Sequence, residues 1–327
     1  MLDLKSKIVL VSPATAQANN GNWHTAQRWA KFLSEHCDIA ITQSWAATDA
    51  NADAMIALHA RRSASSIHAW AARHPCAPLI VVLTGTDLYR DIQIDTSAMQ
   101  SLHLATHLVV LQEAGLAVLP KELRSRARVI FQSAPRLEPA VKSARRLTVL
   151  MVGHLRDEKD PLTFIKAAQV MAGAKIDFQL IGDGLDASLA EFARLTTTQN
   201  PHFKWLGGLP RAQTRQRIKR AHVLVNSSLM EGGAHVILEA VQSGTPVLAS
   251  RISGNVGMLG TDYTGYFDVG DAPALAALVK RCATESAFLA HLQSQCVQRA
   301  ELFEPVLEKR LVLNLVASAL KEPHERA

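Results

Sequence analysis

Apolar runs of strand length alternate with amphipathic stretches along almost the whole chain. In the first half, runs rich in Val, Ile and Leu predict strands near residues 7–12, 38–43, 54–59, 79–84, 107–111 and 128–131. Helical spacing predicts helices near 23–35, 62–73 and 96–105 between several of them. Residues 132–146 hold two prolines and several charges, and read as a linker. The pattern then restarts, with strands near 147–152, 176–181, 203–206, 222–226, 246–250 and 264–268. Helices near 160–171, 185–197, 211–220, 234–243 and 272–283 lie between or after them. From about 285 to 321 the chain reads as helix, with a break at Pro305. Two successive βα series predict an α/β chain of two doubly wound, Rossmann-like, parallel-sheet domains. Their expected spans are 1–140 and 145–302, with a final helix over about 303–321 that can return to the first. In such sheets ligands bind beyond the carboxyl ends of the strands, so two domains set mouth to mouth enclose a central cleft.

Composition narrows the class. At 327 residues there is room for two ordinary domains, and 48% hydrophobic with 20% charged residues excludes a disordered chain. No apolar run reaches membrane-span length, and Met1 to Lys7 leads straight into a strand, so neither a membrane segment nor a signal peptide is expected. Cys37, Cys76, Cys282 and Cys296 are dispersed without a Cys-x-x-Cys pair, which fits reduced thiols in a cytoplasmic protein. A net charge of +6 favours acidic ligands. Lys and Arg are scattered rather than interleaved with aromatics, so nucleic acid is not the expected partner.

The richest segment is Glu231-Gly232-Gly233-Ala234-His235-Val-Ile-Leu-Glu239-Ala-Val-Gln-Ser-Gly244-Thr-Pro246. Ala234 to Ser243 reads as a helix with Val236, Ile237, Ala240 and Val241 on its apolar face; Gly244 suits the position just past its end. The glycine pair leaves an open helix N-terminus whose free N–H groups attract anions, phosphate above all. Glu231 stands at that mouth and Glu239 along its wall. A carboxylate there repels phosphate but accepts hydrogen bonds from sugar or ribose hydroxyls. The whole pattern reads as a nucleotide-sugar site; taken singly, the acids also read as a loop acid and a surface His235/Glu239 pair.

Other strand-end loops carry charge or hydroxyls. Gly153-His154-Leu-Arg156-Asp-Glu-Lys159-Asp160-Pro161 follows a strand, with Asp160 placed to cap the next helix. Arg156 through its fork and Lys159 as a point charge can neutralise a departing nucleoside diphosphate, or they form a solvated basic loop. Ile181-Gly182-Asp183-Gly184 is a tight turn or a close approach of backbone to a ligand. The first loop, Ser12 to Trp23, is not a dinucleotide fingerprint. In it Asn20-Gly21 marks a turn and Asn22 suits a helix cap, giving an acceptor lid or a plain surface loop. His59-Ala-Arg61-Arg62 and Thr84-Gly85-Thr86-Asp87-Leu-Tyr89-Arg90 end two buried strands. Arginines there must meet water or an anion, and the hydroxyls and N–H groups of Thr84, Gly85 and Thr86 can hold an oxyanion unless Asp87 caps a short helix. No Asp-x-Asp sits in a strand-end loop and no His/Cys cluster has ligand spacing, so neither a metal nor another cofactor is expected. Walker A and G-x-S-x-G sequences are missing, which weighs against P-loop and hydrolase chemistry.

With these residues in view, the stretch from about 147 to 302 resembles retaining-type glycosyltransferases of the GT-B fold that carry an E-x7-E motif. The matching parts are Gly153 to Lys159, Gly182-Asp183-Gly184, and Glu231 to Glu239 followed by Gly244-Thr-Pro246-Val. The resemblance implies a donor domain in the second half. Arg156 and Lys159 would meet the donor diphosphate, Glu231 the donor sugar and Glu239 the ribose, with Gly153, His154, Gly182, Gly232, Gly233 and Ala234 lining the donor.

The first half is similar to the selenosugar synthases of the selenoneine pathway (SenB-type). Asn19-Asn-Gly-Asn-Trp-His24, Leu58-His-Ala-Arg-Arg-Ser63, Leu83 to Asp91 and Val109 to Glu113 carry this likeness. Phe131-Gln-Ser-Ala-Pro135 and Ile252-Ser-Gly-Asn-Val-Gly257 add to it. It implies that a UDP-sugar (UDP-GlcNAc or UDP-glucose) and selenophosphate yield a 1-selenosugar, UDP and phosphate. Asn20, Gly21, Asn22, His59, Arg61, Arg62, Thr84, Gly85, Thr86 and Arg90 would form the acceptor side. Two segments depart from the broader family: Gly233-Ala234, and Ser253-Gly-Asn-Val-Gly-Met-Leu where a Gly-Gly…Glu segment is usual. Selenophosphate is an ionised nucleophile, so it needs cations more than a general base. The competing readings are a hydroxyl-acceptor glycosyltransferase using His24, His59 or His154 as base, and a non-catalytic nucleotide-sugar sensor.

Overall fold

The computed structural model describes residues 6–14 and 21–321. The chain forms two compact units, Met1–Gln132 with Pro305–Ala327, and Ser133–Glu304. The break falls ahead of the expected boundary near 140–145, because the segment read as a linker is tied to the second unit. Ala134 N–H donates to Phe303, Leu137 N–H to Gln242, and Lys142 Nζ to the carbonyls of Lys219 and Ala221. No helix among the described residues is long and apolar enough to cross a membrane.

In the first unit the strands are β1 (Lys7–Val11), β2 (Asp38–Thr42), β3 (Ala54–Leu58), β4 (Leu79–Leu83), β5 (His107–Val110) and β6 (Ala127–Val129). All pair in parallel, in the order β2-β1-β3-β4-β5-β6. β3, β4 and β5 are buried along their whole length, as expected of strands covered on both faces. Alternate residues feed two cores. Ile8, Leu10, Ile56, Leu58, Ile80 and Val82 meet Trp29 and Leu33 of the helix Gly21–Leu33 and Val312 and Val316 of the helix Pro305–Ala319. Val9, Val11, Met55, Ala57, Val81 and Leu83 meet Ile67 and Trp70 of the helix Ala64–Arg73 and Leu102 of the helix Thr96–Leu104. The first helix opens at Gly21, so Asn22 lies inside its first turn rather than capping it; Asn20 lies outside the described residues.

The second unit repeats the design. Its strands are β7 (Leu147–Val152), β8 (Ile176–Ile181), β9 (Phe203–Trp205), β10 (Val223–Asn226), β11 (Val247–Ser250) and β12 (Tyr266–Phe267). The order β12-β11-β10-β7-β8-β9 is again parallel throughout. β7 and β10 are neighbours although two strands separate them in sequence. Chain direction across the sheet reverses there, which opens a crevice at their carboxyl ends and sets the loops 153–160 and 227–234 side by side.

The C-terminal helix is fastened to the first unit by one buried carboxylate. Glu308, 1% exposed, accepts from Arg28 Nε at 2.7 Å, from its NH2 at 3.0 Å and from Trp29 Nε1 at 2.8 Å. Breaking a buried pair strands the remaining charge, at about 3–5 kcal/mol. Glu308→Ala is therefore expected to lower stability by about that amount. Chemical denaturation checks this, and a wild-type midpoint would show that the Arg28 charge is relieved by solvent.

Candidate active site

In the second unit the crevice between β7 and β10 is closed by polar bonds. Lys159 Nζ donates to Glu231 Oε1 at 2.6 Å, and Ser228 Oγ donates to the same oxygen at 2.6 Å. Ser227 Oγ reaches the carbonyls of Lys159 and Asp160, and Leu229 N–H that of Glu158. Behind this lies a buried polar layer. Ser228 N–H donates to Asn226, Ser250 Oγ to the Ser228 carbonyl, and Asn255 Nδ2 to Ser250. Asp160 caps the helix Pro161–Val170 through Thr163, while its own backbone is left-handed at φ 43°. A non-glycine residue in that region carries strain that its surroundings must hold in place.

Two glycines permit these approaches. A Cβ on Gly182, at φ +152°, would lie 1.9 Å from the Gly153 carbonyl oxygen, so the turn after β8 can press against the loop after β7 only without a side chain. A Cβ on Gly254 would lie 2.0 Å from the carbonyl oxygen of Glu231. The helix Ser253–Leu259, absent from the sequence reading, therefore sits directly against the backbone that carries Glu231.

The cationic loop is only partly neutralised. Arg156 is half-exposed, its Nε buried and without a hydrogen bond among the described residues, with Glu158 at 3.8 Å. His154 Nδ1 accepts from Asp183 N–H at 3.1 Å. Burial pushes the His154 pKa down; Asp183 opposes that, while Arg156 and Lys159 add to it.

Glu239, 4% exposed on the helix His235–Val241, has His235 beside it, as the i, i+4 spacing suggested, and two arginines that sequence reasoning missed. Arg211 Nε is 3.3 Å from Oε1, His235 Nε2 3.6 Å and Arg215 Nε 3.8 Å. Arg211 and Arg215 stand one turn apart on the helix Arg211–Arg220, which the sequence pattern predicted without giving either arginine a role. Their i, i+4 spacing was legible; which helix they would face was not. Ser228 had no signal beyond its place three residues before Glu231.

In the first unit the loops after β3 and β4 interlock. Asp87, fully buried, accepts from the N–H groups of Ala60, Thr84 and Gly85 at 2.8–3.2 Å. The expected oxyanion role of the Thr84 and Gly85 N–H groups is corrected accordingly: a buried carboxylate must satisfy its oxygens, and it has taken these donors. The alternative, Asp87 as a helix cap, is corrected too, since it bonds backward from the first residue of a π-helical turn, Asp87–Asp91. His59 is 3% exposed at φ 70°, with Nδ1 accepting from Arg62 N–H and Nε2 3.0 Å from Thr86 Oγ1. Burial lowers its pKa, and Arg62 adds to that; Asp87 and Asp91 oppose it. Arg61 pairs with Asp95 at 2.9 Å and Arg90 with Asp91 at 3.0 Å; Arg62 is exposed.

Solved structures share this architecture. HepE of Anabaena in complex with UDP-glucose aligns at a TM-score of 0.77 and 15% identity, over 96% of this chain and 100% of HepE. Sucrose-phosphate synthase of Thermosynechococcus elongatus aligns at 0.77 and 17% identity, over 96% of this chain and 99% of its own. TarM of S. aureus, in a complex containing UDP, aligns at 0.65 and 14% identity, and the chain spans only 55% of its length. At such identities the likeness speaks for the fold, which is GT-B: two parallel six-stranded sheets, each flanked by helices. The model of the family described as "Glycosyl transferases group 1" matches residues 137–302, half of the chain, and the protein belongs to that family.

Proposed function

We propose that this glycosyltransferase moves the sugar of a UDP-sugar, UDP-GlcNAc or UDP-glucose, onto selenium of selenophosphate. HepE was crystallised with UDP-glucose and pneumococcal GtfA with UDP and GlcNAc, which supports a UDP-sugar donor here. In this reading the donor diphosphate takes Lys159 from Glu231, and Arg156 adds a second cation. Glu231, so released, accepts from a sugar hydroxyl, and Glu239 accepts from the ribose. Gly153, His154, Gly182, Gly232, Gly233 and Ala234 shape the donor side. Cysteines that stand as thiols fit the reducing, cytoplasmic setting in which such an acceptor survives.

Two of the three candidate bases, His59 and His154, support the acceptor assignment; His24, the third, lies in the first helix. His59 and His154 each have Nδ1 occupied as acceptor by a backbone N–H, so each Nε2 bears the proton and acts as a donor. Neither is set to take a proton from a hydroxyl acceptor. An acceptor that arrives ionised needs no such base, and His59, Arg61, Arg62, Thr86 and Arg90 offer donors and positive charge to it. Thr84 and Gly85 shape the same turn, Gly21 and Asn22 open the first helix, and Asn20 stays in this reading as an acceptor-side residue from sequence alone. In the step itself a selenium electron pair forms the Se–C1 bond while the C1–O pair leaves with UDP. Water then adds to phosphorus, the Se–P pair returns to selenium, and phosphate departs. Electrostatic stabilisation of the leaving diphosphate carries most of the rate.

Arg156→Ala and Lys159→Ala are each expected to lower kcat/KM for the UDP-sugar by about 10²-fold, as loss of one preorganised contact does. Because these side chains supply the neutralising charge, activity should persist in EDTA; strict dependence on a divalent ion would contradict the clamp. Glu239→Ala should weaken UDP binding by about 1.5–3 kcal/mol in calorimetry. A folded mutant with wild-type UDP affinity would take Glu239 out of the site. The acceptor itself is tested by offering selenophosphate, thiophosphate, phosphate and simple alcohols with each UDP-sugar, and weighing the products. A hexose or N-acetylhexosamine bearing a selenol is expected. Sugar transfer to alcohols alone would favour the hydroxyl-acceptor reading, and binding of UDP-sugar without turnover of any acceptor would favour a sensor.

A further inference from the structure

Two costs coincide in the loops after β3 and β4. His59 is a non-glycine residue at φ 70°, and Asp91 Oδ2 is a buried carboxylate oxygen without a hydrogen bond among the described residues. An orphaned buried acceptor and a left-handed backbone both oppose folding, and they persist where something else requires the geometry. The two groups are neighbours, with His59 Nε2 3.9 Å from Asp91 Oδ2. They stand at the carboxyl ends of adjacent parallel strands.

The other atoms of this pair hold cations and a hydroxyl. Asp91 Oδ1 accepts from Arg90 Nε at 3.0 Å and lies 3.9 Å from Arg61 NH1, while Asp95 anchors Arg61 Nε at 2.9 Å. Arg61 is thus fixed through Nε, yet its side chain remains 50% exposed; Arg90, on the same Asp91 oxygen, is 41% exposed. A guanidinium held by one edge presents the remaining N–H groups in a fixed plane, the arrangement that matches a tetrahedral oxyanion. On the other side, the tautomer set by the Arg62 N–H makes His59 Nε2 the donor to Thr86 Oγ1. With an oxygen lone pair so filled, the proton of the partly exposed Thr86 hydroxyl must point elsewhere, toward solvent or a ligand.

We propose that Asp91 and His59 are positioning residues that preset Arg61, Arg90 and the Thr86 hydroxyl as a donor set for a phosphate-type oxyanion. The proposal deepens the acceptor assignment above and rests on it for the identity of the natural ligand, but not for the anion site itself. Like charge on Asp91 does not bar the anion, because the residue is 1% exposed and its Oδ1 is paired with both arginines.

Calorimetric titration of the full chain, with UDP saturating the second unit, tests this with inorganic phosphate and thiophosphate as probes. Wild type should bind both. Asp91→Asn and Thr86→Val should each weaken binding by about tenfold or more, while Thr86→Ser retains it and UDP affinity is unchanged. In turnover, Asp91→Asn should raise the acceptor KM and leave kcat at saturation nearly intact, a split that general loss of structure does not produce. If Asp91→Asn fails to fold, Arg61→Gln, at a half-exposed position, serves the same titration. No phosphate binding by wild type, or wild-type affinity in the folded variants, overturns the proposal. Asp91-dependent phosphate binding without any selenium-containing product would keep the anion site and discard the selenium reading alone.

Discussion

The contact between Lys159 and Glu231 rests on the sheet order of the second unit. The two residues are 72 positions apart and meet at 2.6 Å only because β10 lies beside β7. Once the loops are adjacent, the rest of the crevice follows. Ser227 and Leu229 bind the backbone of the basic loop, and Ser228 shares the carboxylate. The pair is mostly buried, with side chains 22% and 10% exposed, so its attraction is offset by desolvation. Its value is geometric: a cation and an acceptor are held in register at a strand-end crevice.

The same device recurs around Glu239 and around Asp91. In each place a buried carboxylate holds arginine side chains that are 40–50% exposed at one partner at least. A basic chain of net charge +6 must keep such cations from repelling one another in the absence of ligand. Pairing each to a carboxylate does this and fixes its direction. Arg215, only 13% exposed and donating to the Pro135 carbonyl, is the fixed member beside Glu239; Arg211, 40% exposed, is the one solvent can draw away.

Both sheets were legible in the sequence because strands such as Ala54–Leu58 and Leu79–Leu83 are continuous apolar runs buried on both faces. Loop chemistry was less so. Glu231, Lys159 and Arg156 stand out by spacing and charge, but the partners of Glu239 lie on a helix that sequence cannot orient. Thr84 and Gly85 looked like donors for a ligand, but Asp87, just beyond them in the same turn, takes their N–H groups. The helix Ser253–Leu259 was missed because Gly254, Asn255 and Gly257 are poor helix formers. Its glycine is there for the approach to Glu231, a tertiary reason that local propensity does not contain.

Unsatisfied polar atoms alone do not mark these sites. Trp45 Nε1 and Trp70 Nε1 are also buried without a hydrogen bond among the described residues, yet both belong to an aromatic cluster with His74 packed on a helical face. What separates the strand-end loops is coincidence. The non-glycine residues at positive φ among the described residues are His59 and Asp160, in the loops after β3 and β7. Each lies near a polar atom left unpaired, Asp91 Oδ2 in one loop pair and Arg156 Nε in the other. Ring packing goes with the first kind of orphan: the edge-to-face contact of Trp45 and Trp70 stabilises the cluster in its own right and offsets the unbonded N–H groups. It does not account for the second, where backbone strain and lost hydrogen bonding fall within the same loops. In the first unit the orphaned carboxylate is also the one that pairs with the exposed Arg61 and Arg90, and in the second the orphan is the half-exposed Arg156 itself, so the strain falls where positive charge stands at the strand ends.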